Sequence, residues 1–200
     1  MKKVKILLFG GTFNPPHLGH IALLENCVRT IKPDEIRILP LGTPPHKAAD
    51  STSTEHRIAM CQVFCEILPN CIIDIRETIR PGKSYTADTV QELREKYPDD
   101  EFYLCIGSDM FLSFETWHNY EYLLKETILL VHLRDENDIE EVFQQQEKFL
   151  NMGIKIIFLQ DNFINISSSE IRKMHQEGKN IEPLLHEYVY NYILKHNLYR

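Results

Sequence analysis

Two histidines near the start of the chain carry side chains suited to binding an anion. His17 and His20 lie three residues apart and follow the glycines Gly10 and Gly11. The apolar run before these glycines indicates a buried strand, and apolar residues at helical spacing follow the histidines. A helix that begins here presents unpaired backbone N–H groups and the positive end of its dipole. The stretch therefore predicts a site for a polyphosphate.

A second stretch of the same kind lies near the other end of the chain, at residues 166–172 (ISSSEIR). Ser167 and Glu170 have the spacing of a capping box, which explains both residues without any ligand. Capping does not explain Arg172. Hydroxyl groups, a helix N-terminus and a guanidinium together form a second phosphate-binding arrangement. The two stretches predict one triphosphate, with the α and β phosphates on the first and the β and γ phosphates on the second.

The bulk composition excludes several classes of protein. The chain has 200 residues, of which 43% are hydrophobic, and a formal net charge of -7 with no long basic block, so duplex nucleic acid is not an expected partner. The apolar run after the N-terminal lysines is too short for a signal peptide or a membrane-spanning helix. The five cysteines include no CxxC pair, which favours free thiols without a metal site, in the reducing cytoplasm.

Predicted strands and helices alternate along the whole chain. This order predicts an α/β protein with a doubly wound, mainly parallel sheet and helices on both faces. We expect a single domain over residues 1–200, with a C-terminal helical part at about 167–200. Further expectations are a strand over 72–79, a helix with an aromatic side over 110–120, and a helix over 137–150. The predicted buried positions of the helix over 137–150 are Ile139, Val142, Phe143 and Phe149.

The two stretches resemble the signatures of a known enzyme family. His17-Leu18-Gly19-His20 and ISSSEIR are similar to the motifs of the HxGH nucleotidyltransferases, and GGTFNPPHLGH (residues 10–20) resembles the bacterial nicotinate-nucleotide adenylyltransferases. Asn14 stands where many members carry aspartate, and Ser169 replaces a common threonine. The resemblance implies a Rossmann-like nucleotidyltransferase fold. It also implies transfer of AMP from ATP to nicotinate mononucleotide, which yields nicotinate adenine dinucleotide and pyrophosphate in NAD biosynthesis.

The resemblance also implies roles for individual residues. The catalytic residues would be His17, His20 and Arg172. The ATP-binding residues would be Gly10, Gly11, Thr12, Phe13, Gly107, Asp109, Ile166, Ser168 and Ser169. The acceptor-binding residues would be Lys47, Thr86 and Trp117. No protein-bound metal is expected, since Mg²⁺ would bridge the ATP phosphates through water. The expected partners are ATP and nicotinate mononucleotide, with no membrane, and a homo-oligomer is compatible with the pattern.

Other readings of the same motifs remain open at this point. Pantetheine-phosphate adenylyltransferases share HxGH chemistry but usually carry threonine in place of the first histidine and lysine near the serine motif. Cytidylyltransferases carry an RTEGISTT signature, which is absent here. A nucleotide-binding sensor without catalysis is the alternative outside the enzymes. The presence of His17, His20, Ser168 and Arg172 argues against it.

Overall fold

The computed structural model describes residues 3–42, 52–133, 139–159 and 166–200. Its strands are β1 (Lys5–Gly11), β2 (Glu35–Pro40), β3 (Cys71–Ile73), β4 (Glu101–Gly107), β5 (Thr127–His132) and β6 (Ile156–Leu159). Its helices are α1 (Leu18–Ile31), α2 (Thr54–Ile67), α3 (Arg76–Ile79), α4 (Thr86–Lys96), α5 (Ser108–Leu112), α6 (Tyr120–Glu126), α7 (Ile139–Asn151), α8 (Ser168–Gln176) and α9 (Glu187–His196).

The strands form one sheet in the order β3-β2-β1-β4-β5-β6. This is the strand order of the Rossmann-like doubly wound fold, in which the order reverses beside the first strand. The pairs β1–β4, β4–β5 and β5–β6 are parallel, with Leu104 opposite both Leu8 and Leu129. Every residue of β4 after Glu101 is buried, as expected of a strand covered on both faces. The predicted fold class is confirmed.

The described residues group into two compact units. The first contains the described residues within Met1–Phe9, Glu25–Arg37 and Tyr85–Phe163. Its core contains several buried phenylalanines, and the rings of Phe111 and Phe149 meet edge to face with centroids 5.6 Å apart. Arg94 lies over the Phe102 ring at 4.5 Å and forms an ion pair with Glu126 at 2.9 Å. Aromatic packing and a neutralised cation therefore stabilise this unit.

The second unit contains the described residues within Gly10–Leu24, Ile38–Ser84 and Ile164–Arg200, and both sequence motifs lie in it. The rings of Phe13 and Phe64 pack edge to face in its core, with centroids 5.3 Å apart. Helix α9 is held to α2 because the Tyr188 hydroxyl donates to the Ala59 carbonyl at 3.1 Å. Within the described ranges, no helix is long and apolar enough to cross a membrane.

The strand expected over 72–79 is only partly formed. Strand β3 ends at Ile73, and helix α3 begins at Arg76. The Asp74 carboxylate accepts hydrogen bonds from the backbone N–H of Arg76 at 3.3 Å and from its Nε at 2.9 Å. This local side-chain bond offers the backbone a helical turn in place of a strand, and it prevails over the partial alternation of apolar residues.

The aromatic helix expected over 110–120 is divided. Helix α5 ends at Leu112, a 3-10 turn covers Phe114–Thr116, and α6 begins at Tyr120. Asn119 adopts the left-handed conformation with φ 53°, which a continuous helix does not allow.

The prediction of which residues of α7 are buried is partly wrong. Val142 and Phe149 are buried, whereas Phe143 is 55% exposed. Residues 142 and 149 are two helical turns apart and share one face, and residue 143 is rotated away from it.

Candidate active site

The loop between β1 and α1 is compact and largely buried. Phe13 has φ 49° and is 1% exposed, and the Asn14–Pro15 bond is cis. The Phe13 ring folds back over Gly11, where a Cβ would lie 2.8 Å from ring carbons. A side chain at position 11 would force the buried Phe13 ring to shift. The loop therefore enters α1 in a fixed conformation.

Side chains from distant parts of the second unit bond to this loop. The Arg172 guanidinium donates to the Asn14 carbonyl at 2.7 Å, and the Ser168 hydroxyl donates to the Pro15 carbonyl at 2.8 Å. The Tyr199 hydroxyl donates to the Asn14 side-chain oxygen at 2.5 Å. The Arg57 guanidinium donates to the Thr12 carbonyl at 2.9 Å. The second motif thus meets the first directly. These bonds fix the path of the backbone just before the histidines.

His17 and His20 form the start of α1. The His17 carbonyl accepts from the backbone N–H groups of His20 at 2.9 Å and Ile21 at 3.2 Å. In return, His20 Nδ1 accepts from the His17 backbone N–H at 3.2 Å. The two rings lie together with centroids 3.7 Å apart. Because Nδ1 is the acceptor, the proton of the neutral His20 ring is on Nε2, which makes Nε2 a hydrogen-bond donor.

The start of α8 is the predicted capping box. The Ser167 hydroxyl accepts from the Glu170 N–H at 3.2 Å, and the Glu170 carboxylate accepts from the Ser167 N–H at 3.0 Å. Two hydrogen bonds to the Glu170 carboxylate hold its pKa below the ordinary value. The larger effect comes from the Ser167 side chain and the smaller from the Ser167 backbone. Ser168 and Ser169 follow in the first turn, and the Arg172 guanidinium lies 3.5 Å from the Ser169 hydroxyl.

Four of the predicted site residues lie in the first unit. Gly107 ends β4 and precedes α5, whose first turn contains Asp109. Thr86 is the first residue of α4, and Trp117 stacks on Phe114 with centroids 5.0 Å apart. Trp117 is half-buried. The loop with Lys47 lies outside the described residues.

The remaining predicted residues share the second unit. Within this unit, Ser168 and Arg172 of the second motif bond to the loop of the first motif. The rings of His17 and His20 also contact each other. The predicted residues of this unit are Gly10, Gly11, Thr12, Phe13, His17, His20, Ile166, Ser168, Ser169 and Arg172.

Comparison with known proteins gives the family. The cytidylyltransferase-like family matches residues 8–174. The chain belongs to this family. A probable nicotinate-nucleotide adenylyltransferase of Oceanobacillus iheyensis is 35% identical over 199 residues, which cover 100% of this chain and 97% of that protein. Another from Carboxydothermus hydrogenoformans is 36% identical over 202 residues, with 100% of both chains covered.

A solved structure shows the same architecture. It is the Plasmodium falciparum nicotinic acid mononucleotide adenylyltransferase complexed with NaAD, which is 25% identical with a TM-score of 0.79. The match covers 99% of this chain and 98% of that one. The predicted membership of the nucleotidyltransferases is confirmed.

Within the described residues, this member of the cytidylyltransferase-like family has no set of side chains that could coordinate a metal ion. No group of three or more His, Cys, Asp or Glu side chains there could hold a metal ion. A site rich in N–H, hydroxyl and guanidinium donors suits phosphate oxygens and does not suit a bare cation.

Two residues that hold the loop between β1 and α1, Arg57 and Tyr199, were not predicted from the sequence. Arg57 is 5% exposed and lies on the same face of α2 as the buried residues Cys61 and Phe64. A charged residue in phase with a buried helical face needs a buried partner, so the sequence did contain a signal for Arg57. We find no sequence signal for Tyr199, which lies 185 residues from its partner Asn14.

Proposed function

We propose that the chain is an adenylyltransferase that moves AMP from ATP to nicotinate mononucleotide and releases pyrophosphate in NAD biosynthesis. The observation that carries this proposal is the direct bonding of the ISSSEIR motif to the loop of the HxGH motif, through Ser168 and Arg172. Full-length relatives named as probable nicotinate-nucleotide adenylyltransferases support the choice of acceptor.

The chemistry is an in-line displacement at the α phosphorus of ATP. An oxygen of the acceptor phosphate forms a bond to this phosphorus, and the bond to the bridging oxygen of the β phosphate breaks. Pyrophosphate leaves with the electron pair. The protein contributes mainly positioning and neutralisation of charge, so no covalent nucleophile is required.

His20 and the N-terminus of α1 bind the α phosphate, where negative charge develops during the reaction. The Nε2–H of His20 donates to the α phosphate, with His17 beside it at a ring distance of 3.7 Å. Arg172 serves the β and γ phosphates. A guanidinium carries five N–H donors, so bonding to the Asn14 carbonyl is compatible with binding a phosphate.

The remaining site residues complete the proposal. Gly10, Gly11, Thr12, Phe13, Gly107, Asp109, Ile166, Ser168 and Ser169 bind ATP, and Thr86 and Trp117 bind the nicotinate group. A half-buried indole offers a flat face for a pyridine ring. Lys47 is assigned to the acceptor phosphate. Mg²⁺ enters with ATP, since it retains several waters and needs few protein ligands.

The thiols support a proposal for the cellular setting. All five cysteines are free, and four of them are buried. Free thiols are typical of proteins in reducing compartments, so we assign the chain to the cytoplasm.

A pyrophosphate-release assay tests the proposed function. ATP is combined in turn with nicotinate mononucleotide, nicotinamide mononucleotide and phosphopantetheine. Release with nicotinate mononucleotide, faster than with its amide, is the expected result. Release only with phosphopantetheine, or nucleotide binding without release from any acceptor, contradicts the proposal.

A further inference from the structure

Tyr199 lies in the short segment after α9 and has an uncommon backbone conformation. Its φ is 65°, in the left-handed region that an aromatic residue rarely adopts. A residue stays in this region only where its surroundings determine its conformation, and such residues cluster at functional sites. The side chain is only 7% exposed, and it belongs to neither of the two motifs. Its conformation therefore calls for an explanation that the motifs do not supply.

The turn that ends α9 directs this segment back onto the second unit. Asn197 has φ 50°, and its backbone N–H donates to the Leu194 carbonyl at 3.3 Å. The backbone N–H of Leu198 donates to the Ile193 carbonyl at 3.1 Å, and the Leu198 side chain is buried. A left-handed residue after a helix reverses the direction of the chain in this way. Tyr199 thereby meets the loop between β1 and α1.

The Tyr199 hydroxyl holds a buried amide of this loop. Asn14 is 1% exposed, and its side-chain oxygen accepts from the hydroxyl at 2.5 Å. A buried polar group needs hydrogen bonds, and these bonds keep it in one orientation. The backbone carbonyl of Asn14 accepts from Arg172 at 2.7 Å. Arg172 thus holds the backbone of Asn14, and Tyr199 holds its side chain.

Asn14 is close in the chain to the residues proposed for the chemistry. It lies three residues before His17, whose carbonyl accepts the first backbone bonds of α1. A displacement of about 1 Å in a group that positions the reaction can lower its rate about a hundredfold. Loss of the Tyr199 bond would release the Asn14 side chain and leave the bond from Arg172 in place. The His17–His20 pair would then lose part of its support.

We propose that Tyr199 is a positioning residue for nucleotidyl transfer, and that it acts through Asn14 on the His17–His20 pair. This inference rests on the proposed function for the reaction that is measured. It gives Tyr199 no contact with substrate. The hydroxyl should therefore influence turnover more than the affinity for either substrate.

The test compares Tyr199→Phe with Tyr188→Phe. Each substitution removes one hydroxyl that donates within the second unit, and the Tyr188 hydroxyl donates to the Ala59 carbonyl of α2. Pyrophosphate release gives kcat and KM at a temperature where circular dichroism shows both variants folded. We expect Tyr199→Phe to lower kcat about tenfold, with KM for both substrates within about threefold of the wild type. Tyr188→Phe should keep the wild-type kcat, although both variants should melt at a lower temperature because each loses one hydrogen bond.

A double-mutant cycle tests whether the effect passes through Asn14. Asn14→Leu has a side chain of similar shape without an acceptor oxygen. We expect the double variant Asn14→Leu, Tyr199→Phe to turn over no more slowly than Asn14→Leu alone, because the hydroxyl then has no oxygen to hold. Multiplication of the two losses overturns the inference. So does a kcat of Tyr199→Phe within about threefold of that of Tyr188→Phe.

Nuclear magnetic resonance separates a failure of this inference from a failure of the proposed function. The ring signals of His17 and His20 should shift in Tyr199→Phe and stay unchanged in Tyr188→Phe. Unchanged signals in both variants overturn the inference. If the wild type releases no pyrophosphate with nicotinate mononucleotide, the proposed function fails, and the histidine signals still decide whether Tyr199 positions the pair.

Discussion

His20 has a structural and a proposed chemical role that belong to different atoms of one ring. Its Nδ1 accepts the His17 backbone N–H at 3.2 Å, which completes the first turn of α1. Its Nε2–H is the donor proposed for the α phosphate. The structural bond sets the tautomer that the chemistry needs, so a substitution can remove one role and leave the other.

Two substitutions at position 20 separate these roles. His20→Ala removes both atoms. His20→Asn retains a side-chain oxygen that can accept the His17 N–H but has no atom at the position of Nε2. We expect turnover to fall about a hundred- to thousandfold in both variants, as for the loss of one donor to a developing charge. The melting temperature should fall in His20→Ala and stay near the wild-type value in His20→Asn.

Steady-state kinetics and thermal unfolding measure the two effects. Turnover of His20→Asn within tenfold of the wild type would contradict the role proposed for Nε2. Equal melting temperatures of the two variants would show that the bond from His17 does not stabilise α1.

At the scale of single residues, the sequence predicted which side chains belong to the two motifs but not what they bond to. Ser168 and Arg172 were predicted to bind phosphates, and in the structure each also donates to a loop carbonyl. Backbone carbonyls are present at every residue and leave no mark in a sequence pattern. The pattern therefore could not reveal that the second motif supports the first.

Among the secondary-structure elements, α7 offers a direct comparison of two phenylalanines. Phe149 is fully buried, and its ring meets those of Phe111 and Phe114 edge to face. Phe143 is 55% exposed. Phe149→Ala should lower the free energy of unfolding by about 3–5 kcal/mol, because it leaves a cavity in the core. Phe143→Ala should change it by about 0.5 kcal/mol or less.

Urea unfolding of the two variants measures the difference. Equal losses of stability would mean that both side chains are buried in solution, as the helical pattern alone suggested. A large loss at Phe149 alone agrees with the structure.

Elements with strong periodicity were predictable, and those determined by one local bond were not. Helix α7 (Ile139–Asn151) lies within two residues of the predicted 137–150, and β1 is the strand indicated by the apolar run before the glycines. The strand over 72–79 was wrong because the Asp74 carboxylate starts a helical turn at Arg76. The helix over 110–120 was wrong because α5 ends at Leu112 and Asn119, with its left-handed conformation, separates the following 3-10 turn from α6. The first departure depends on one polar side chain and the second on backbone conformation, and the apolar pattern reports neither.

For the whole molecule, the cysteines provide a measure of packing. Four of the five are buried, and Cys65 is half-buried. Burial raises the pKa of the Cys61 and Cys71 thiols above the ordinary cysteine value. A raised pKa keeps a thiol protonated at pH 8, and the thiolate is the reactive form. We expect one thiol, Cys65, to react rapidly with a disulfide reagent in the native protein, and all five to react in denaturant.

A Cys65→Ser variant is the matched control, and it should have no rapid phase. Rapid reaction of two or more thiols in the native wild type would contradict the burial described. The same measurement during unfolding reports when the cores of the two units open.

The alternation of strands and helices was sufficient to predict the fold class, because parallel strands need helical connections. The strand order and the division of the described residues into two units were not predictable. They depend on pairing between segments far apart in the chain. That residues 1–200 act as one nucleotidyltransferase domain, with a C-terminal helical part at about 167–200, stays a prediction.

The bonds that hold the Asn14–Pro15 loop have a consequence for synthesis on the ribosome. Their donors lie 153, 158 and 185 residues further along the chain. At about 5–20 residues per second, translation needs roughly 10–40 s to pass from the loop to Tyr199. During that time water must satisfy the loop oxygens, and the His17–His20 turn lacks these supports. The loop is thus completed long after it leaves the ribosome, because a nascent chain cannot form these bonds before Ser168, Arg172 and Tyr199 emerge.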